Sequence, residues 1–216
     1  MKFYIADNQD ITRAGLLYLV ASRNDSESRC INDKTGLIEA LKEDSHAIII
    51  LDYTLFDIND VEELNIICER FSKAQWILFS EDLSRDFLHE IVITCPRCGI
   101  VLKDCSLQEI REAVSFANRG KRFICQQVTE LLLTAPDNET NRQNELPQLT
   151  KTELEILKDI ALGMTTKEIA KRRFSSFHTV NTHRKNIFRK LGVNNLHEAT
   201  KFALRAGLVD SAEYYI

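Results

Sequence analysis

The stretch "TKEIAKRRFSSFHTVNTHRKNIFRKLGV", residues 166–193, decides the reading of this chain. It opens on a short segment, KEIAKRR, meets a break at Phe174, Ser175 and Ser176, and continues into a longer segment that Gly192 ends. Placed on a wheel at about 100° per residue, residues 177–191 separate into two faces. His178, Asn181, Thr182, Lys185 and Arg189 fall on one; Phe177, Val180, Ile187 and Leu191 fall on the other. The apolar face is built to dock into a small core. The opposite face offers hydrogen-bonding and cationic groups and no bulky apolar residue.

A helix, a tight turn and a second helix make a helix-turn-helix unit. Lysine and asparagine can read base edges in the major groove, and arginine and lysine can neutralise phosphates. Composition alone allows a second reading, an ordinary solvated helix face. Outward from this stretch the carboxy-terminal part is helical throughout. Thr150 is placed to cap a helix carrying Leu154, Leu157, Ile160 and Ala161, and Gly163 stops it. Thr165 or Thr166 starts the next. A last helix runs from about Leu196 to Ala206, before Gly207.

The charge balance separates this part from the rest. Residues 149–216 carry 12 Lys and Arg against 7 Asp and Glu, a net of +5, so residues 1–148 hold 16 against 25, a net of −9. Such asymmetry points to two domains with different partners, the basic one a nucleic-acid candidate. The polar run TAPDNETNRQNELPQ, 134–148, has linker composition.

The first 120 residues alternate strand-like runs with amphipathic ones. FYIA (3–6), residues 29–31, AIIIL (47–51), WILF (76–79) and IVL (100–102) read as strands. Between and after them helices are expected near 12–22, with Ala14, Leu17 and Val20 on one stripe, then near 36–42, 61–71, 84–92 and 106–118. Ser106 followed by Glu109 has the capping-box pattern. Five strands alternating with five helices imply a parallel sheet covered on both faces. VTELLL (128–133) makes a short further helix.

Apolar runs such as Ala47–Leu51 are far short of the roughly 20 residues a spanning helix needs. The start, MKFYIADNQD, lacks the apolar centre of a signal peptide. No membrane association is expected, and the cytoplasm is the default. Of six cysteines, only Cys95 and Cys98 form a CxxC pair. Zinc needs four ligands and no second pair appears; redox chemistry is disfavoured because the pair does not open a helix after a strand. The expectation is a loop with reduced thiols.

Residues 149–209 closely resemble the LuxR/FixJ-type DNA-binding domain. The resemblance rests on LTKTELEILKDIALGMTTKEIAKRRFSSFHTVNTHRKNIFRKLGV and HEATKFALRAGLV. It implies an all-α, four-helix helix-turn-helix domain over 149–216. It also implies that Asn181, Thr182 and Lys185 read base edges, and that Thr179, His183, Arg184, Arg172, Arg189 and Lys190 lie near phosphates. Arg184 sits toward the apolar side of the wheel, so its stem is expected to pack and only its tip to reach DNA. The last helix, around Ala199–Leu204, is the implied dimer contact.

Residues 1–120 resemble a response-regulator receiver, an α/β (flavodoxin-like) domain with a five-stranded parallel sheet. Residues 121–148 are then a linker with a short helix. IADNQ places Asp7 and Asn8 after the first strand, IIILDYT places Asp52 after the third, ILFSE places Ser80 after the fourth, and IVLKD places Lys103 after the fifth. Open α/β sheets hold their sites at these carboxyl ends. The resemblance implies Asp52 as phosphoacceptor and Ser80 and Lys103 as the groups that respond to it. It implies Mg2+, weakly held, on Asp7, Asp52 and the Thr54 carbonyl. Asn8 replaces a second acid, Phe56 a usual proline, Asp60 a frequent glycine, and Ile100 an aromatic switch residue.

The reading is a transcription regulator, phosphorylated at Asp52 by a partner histidine kinase and binding duplex DNA as a homodimer. The alternative is a phosphate-independent regulator whose receiver is a dimerisation or docking module. A phosphohydrolase using Asp52 would need an acid two residues on, where Thr54 stands, so the chain is not read as an enzyme.

Overall fold

The structure is a computed structural model. It describes residues 1–22, 26–53, 56, 58, 60–81, 83–134, 149–193 and 195–209. The chain divides into two compact units, Met1–Leu133 and Thr134–Ile216.

The first unit is a five-stranded parallel sheet in the order β2-β1-β3-β4-β5, with β1 Lys2–Ala6, β2 Glu27–Cys30, β3 Ile48–Leu51, β4 Gln75–Ser80 and β5 Cys98–Leu102. Side chains alternate across a pleated strand, and the two faces divide accordingly. Tyr4, Ala6, Ile49 and Leu51 meet helices α2 (Lys34–Glu43), α3 (Val61–Arg70) and α4 (Arg85–Thr94). Phe3, Ile5, Ile48 and Ile50 meet α1 (Asp10–Ala21) and α5 (Leu107–Asn118). β3 is buried at every residue, as the unbroken apolar run requires.

Several expectations shift in detail. In α1 the buried stripe is Leu16, Leu19 and Val20, and Ala14 is exposed. The bulkier aliphatics claim the sheet face. β2 lies earlier than 29–31 because its register with β1 pairs Lys2 with Glu27; as a polar edge strand it showed no apolar pattern. The capping box at Ser106 and Glu109 is present. Asp60, where glycine was the frequent residue, caps α3 by accepting from the Glu63 N–H at 2.7 Å. Phe56 is buried in the core.

Residues 121–133 sit on the sheet unit. Ile100 N–H donates to Phe123 O at 2.8 Å and Cys125 N–H to Ile100 O at 3.0 Å, so this segment covers the outer edge of β5. Gly99 permits the approach: a Cβ there would lie 3.1 Å from Phe123 O. Helix α6 (Gln126–Leu133) follows and buries Val128. The expected linker, beyond Thr134, lies outside the described residues.

The second unit holds four helices, α7 Lys151–Ala161, α8 Thr166–Arg172, α9 Phe177–Leu191 and α10 Leu196–Arg205. Thr150 with Glu153, and Thr165 with Glu168, close capping boxes that start α7 and α8. Gly192 adopts φ 66° and ends α9 in the left-handed conformation that glycine takes without strain. Ile156, Leu157, Ile160, Ile169, Val180, Ile187, Phe188, Ala199 and Ala203 form the core. No described helix is long and apolar enough to cross a membrane.

Candidate functional site

The sheet brings four of the expected residues together. Asp7 follows β1, Asp52 follows β3, Ser80 ends β4 and Lys103 follows β5. The strand ladder continues just past the strands to hold them: Asp52 N–H donates to Ala6 O at 2.9 Å and Lys103 N–H to Ser80 O at 3.0 Å. Asp7, Asp52 and Ser80 are buried.

Lys103 Nζ lies 2.7 Å from Asp7 Oδ2 and 2.5 Å from Asp52 Oδ2. Ser80 Oγ donates to Asp52 Oδ1 at 3.2 Å, and the Gln9 N–H donates to Asp7 Oδ1 at 2.7 Å. Lys103 also donates to Gln9 Oε1 at 3.1 Å. Gln9 was not foreseen; its place beside Asp7 and Asn8 was the available signal.

Two buried carboxylates share one ammonium. Burial raises the Asp7 pKa, Lys103 opposes this, and the neighbouring Asp52 charge adds to it. Burial opposes the charge on Lys103, but Asp52 and Asp7 outweigh it and its pKa is raised. The lysine is thus held firmly while Asp7 receives a partial share of compensation. Asn8, also buried, adds no charge.

The hard oxygens of Asp7 and Asp52 suit Mg2+. Three of their four carboxylate oxygens accept hydrogen bonds, from Gln9, Ser80 and Lys103, whereas Asp7 Oδ2 stands beside Lys103 Nζ as an ion pair without a hydrogen bond, the oxygen best placed to take a cation. Thr54 lies outside the described residues. Ile100 is fully buried under the segment 123–125, with no aromatic ring at that position.

In the second unit α9 presents His178, Thr179, Thr182 and Arg189 exposed, with His183 and Lys185 half-buried. Asn181 is buried, and its amide atoms have no hydrogen-bond partner among the described residues. It lies about 60° from the centre of the outward face by helical geometry, on the flank shared with Phe177 and Phe188, and so turns inward. Arg184 is also internal. Its Nη1 donates to Thr166 Oγ1 at 2.6 Å and its guanidinium lies 5.6 Å from the Phe188 ring centroid, so the tip packs along with the stem. Lys190 pairs with Glu153 at 2.7 Å, and Arg172 with Asp159 at 3.2 Å while remaining more than half exposed. Arg173, unforeseen, binds Asp159 at 2.5 Å and Glu155 at 2.6 Å. In α10, Ala199, Thr200 and Ala203 pack within the unit, leaving His197, Lys201 and Arg205 exposed.

A parallel sheet with acids and a lysine converging at its carboxyl ends, followed by a helix-turn-helix unit, defines a two-domain regulator of the response-regulator type. Residues 147–203, within the second unit, match the model of the luxR family of bacterial regulatory proteins (GerE). The chain is 29% identical over 215 residues to the transcriptional regulatory protein LiaR of Bacillus subtilis (strain 168), covering 97% of this chain and 100% of the relative. It is 27% identical over 217 residues to the transcriptional regulatory protein LnrK of the same strain, covering 96% and 98%. Among solved structures it resembles RcsB from Salmonella enterica serovar Typhimurium bound to a promoter in the presence of phosphomimetic BeF3−, at 25% identity and TM-score 0.55, covering 92% of this chain and 97% of that one.

Proposed function

We propose that this chain is a DNA-binding transcription regulator of a phosphorelay, accepting a phosphoryl group at Asp52 from a partner histidine kinase and binding promoter DNA as a homodimer through α9. The observation that carries the first part is the buried lysine joined to both Asp7 and Asp52, with Ser80 on the remaining Asp52 oxygen. One Asp52 oxygen attacks phosphorus as the P–N bond of the donor's phosphohistidine breaks, leaving an acyl phosphate, and the departing imidazole takes one proton from solvent to end as neutral imidazole. Lys103 then turns from the Asp52 oxygen to the new phosphoryl oxygens, and Ser80 donates to one of them. Mg2+, held by Asp7 and Asp52, would offset phosphoryl charge during transfer. With Asn8 in place of an acid, that ion has two carboxylates rather than three, already engaged by Lys103, so cation affinity is weak and labelling slow.

The second part rests on the outward face of α9. With Asn181 and Arg184 internal, base reading falls to Thr182 and Lys185, and phosphate contact to Thr179, His183, Arg189 and the exposed part of Arg172. Lys190 serves chiefly to tie α9 to α7. About 4–6 phosphate contacts per subunit give a steep fall of affinity with salt. A dimer through the exposed side of α10 makes the preferred site an inverted repeat.

The test is intact-mass measurement after incubation with acetyl phosphate and Mg2+, followed by duplex binding across a salt series. One phosphoryl group on the wild type, none on Asp52→Asn, and salt-dependent binding by both support the reading. Salt-dependent DNA binding without any labelling would replace it with the phosphate-independent one.

A further inference from the structure

At the opposite end of β5 from Lys103 lies a second cluster that the regulator function does not use. Cys95 caps the end of α4, Cys98 begins β5, and Cys68 comes from the last turn of α3. The CxxC pair is therefore buried at an element junction rather than exposed in a loop, and a third thiol from 30 residues earlier completes it. The three Sγ atoms all lie within 4.8 Å of one another, and Cys68 and Cys98 are 3.7 Å apart. Two thiolates on one tetrahedral zinc, at about 2.3 Å each, stand roughly 3.8 Å apart. The cluster is close to that spacing without rearrangement.

Two further observations bear on it. The Arg122 guanidinium is near enough to Cys95 and Cys98 to favour their thiolates electrostatically; its Nη1 donates to Val92 O at 3.2 Å, and its Nε and Nη2 are buried with no hydrogen-bond partner among the described residues. Three thiolates around a divalent ion carry a net charge of −1, which a guanidinium with donors to spare offsets. A cavity of about 220 Å3 opens beside Cys68 and Cys95, lined also by Trp76, Glu69 and Arg97, and gives access for a fourth ligand. We propose that Cys68, Cys95 and Cys98 form a three-thiolate site for a thiophilic d10 metal ion, Zn2+ or Cu+, with Arg122 in support.

The protonation chemistry is consistent with loading. Metal entry releases the protons that the thiols carry as three S–metal bonds form. The ion would fasten α3 and the end of α4 to the start of the strand whose far end carries Lys103.

The experiment uses the full reduced chain with Zn2+, Co2+ and Cu+ as separate probes. One equivalent of metal retained through gel filtration, a higher unfolding temperature when loaded, and a Co2+ charge-transfer band with the intensity of three thiolates are expected. Cys68→Ser and Cys95→Ser should lose retention, while Cys30→Ser and Cys105→Ser keep it. Arg122→Gln should weaken affinity by about 10- to 100-fold, the usual effect of removing a supporting group. Preference for Cu+ over Zn2+ in competition identifies the ion as monovalent, and the reverse as divalent; either supports the site. No metal retained by the wild type, a Co2+ spectrum without thiolate bands, or retention unchanged in Cys68→Ser would overturn it. So would peroxide closing a Cys68–Cys98 disulfide in a chain that takes up no metal when reduced. The wild-type Co2+ spectrum decides the matter even where a serine variant fails to fold.

Discussion

The two units bury ionic groups in opposite ways. In the sheet unit two acids converge on one lysine at the strand ends, leaving a net negative charge that burial penalises and Lys103 does not fully compensate. In the helical unit the buried acids are matched by cations that join helices, and the buried Arg184 guanidinium is held by a neutral hydroxyl. Glu153 takes Lys190, Asp159 takes Arg173 and Arg172, and Arg184 takes Thr166. The first arrangement stores electrostatic cost where charge must later be received. The second lowers that cost and fixes the angle at which α9 is presented. Acids left under-compensated are the mark of a reacting site, and acids each tied to a cation across helices the mark of a scaffold.

Substitutions sharpen this contrast. The largest effect on stability is expected in the scaffold: Arg184→Ala removes a buried side chain and its bond to Thr166, and should destabilise the second unit by about 2–4 kcal/mol. Thermal unfolding by circular dichroism reads it; a change near zero would place Arg184 at the DNA surface after all. Lys185→Ala should then cost about 1–3 kcal/mol of specific DNA affinity with little loss of stability. Arg189→Ala should weaken specific and non-specific binding alike and reduce the salt slope by about one. Fluorescence anisotropy with cognate and scrambled duplexes separates the two.

In the sheet unit Asn8→Asp should raise both Mg2+ affinity and the labelling rate, on the order of tenfold, by adding a third carboxylate at the cation's position. Equal rates in wild type and variant would show that the missing acid is immaterial. The smallest effect is a pH dependence. The raised Asp7 pKa means that ionising Asp7 costs stability. Its contribution is therefore most favourable below the ordinary carboxylate pKa and is lost as pH rises through the higher folded value. Asp7→Asn should accordingly gain stability over wild type as pH climbs across that window. A gain that shrinks with rising pH would contradict the assignment.

Much of this was legible beforehand because two periodicities carry it. The apolar runs of β1 and β3 announced the sheet, and Thr150, Thr165 and Ser106 announced helix starts through the glutamates three residues on. The resemblance to a receiver pointed to Asp7, Asp52, Ser80 and Lys103, and the parallel sheet brings these four to adjacent strand ends. What escaped depended on partners distant in sequence. A wheel places Asn181 near the polar face but cannot show that this flank is buried in the folded unit. Arg184 was legible as amphipathic, but its partner Thr166 sits on another helix. Cys68 carried no spacing signal, because its relation to Cys95 and Cys98 is created by α3 packing beside α4. Edge strand β2, polar on its outer residues, had no pattern to read.

The central contrast is tested most directly at Asp52, by reading labelling and stability on one pair of proteins. Wild type and Asp52→Asn would be incubated with acetyl phosphate and Mg2+ and followed by intact mass, and the same samples without donor unfolded thermally. The account predicts a single phosphoryl group accumulating on the wild type, none on the variant, and a variant at least as stable as its parent, because a negative charge has left an under-compensated cluster. A variant that labels at the wild-type rate, or one that unfolds well below an unlabelled wild type, would make the cluster a structural ion pair and contradict the account.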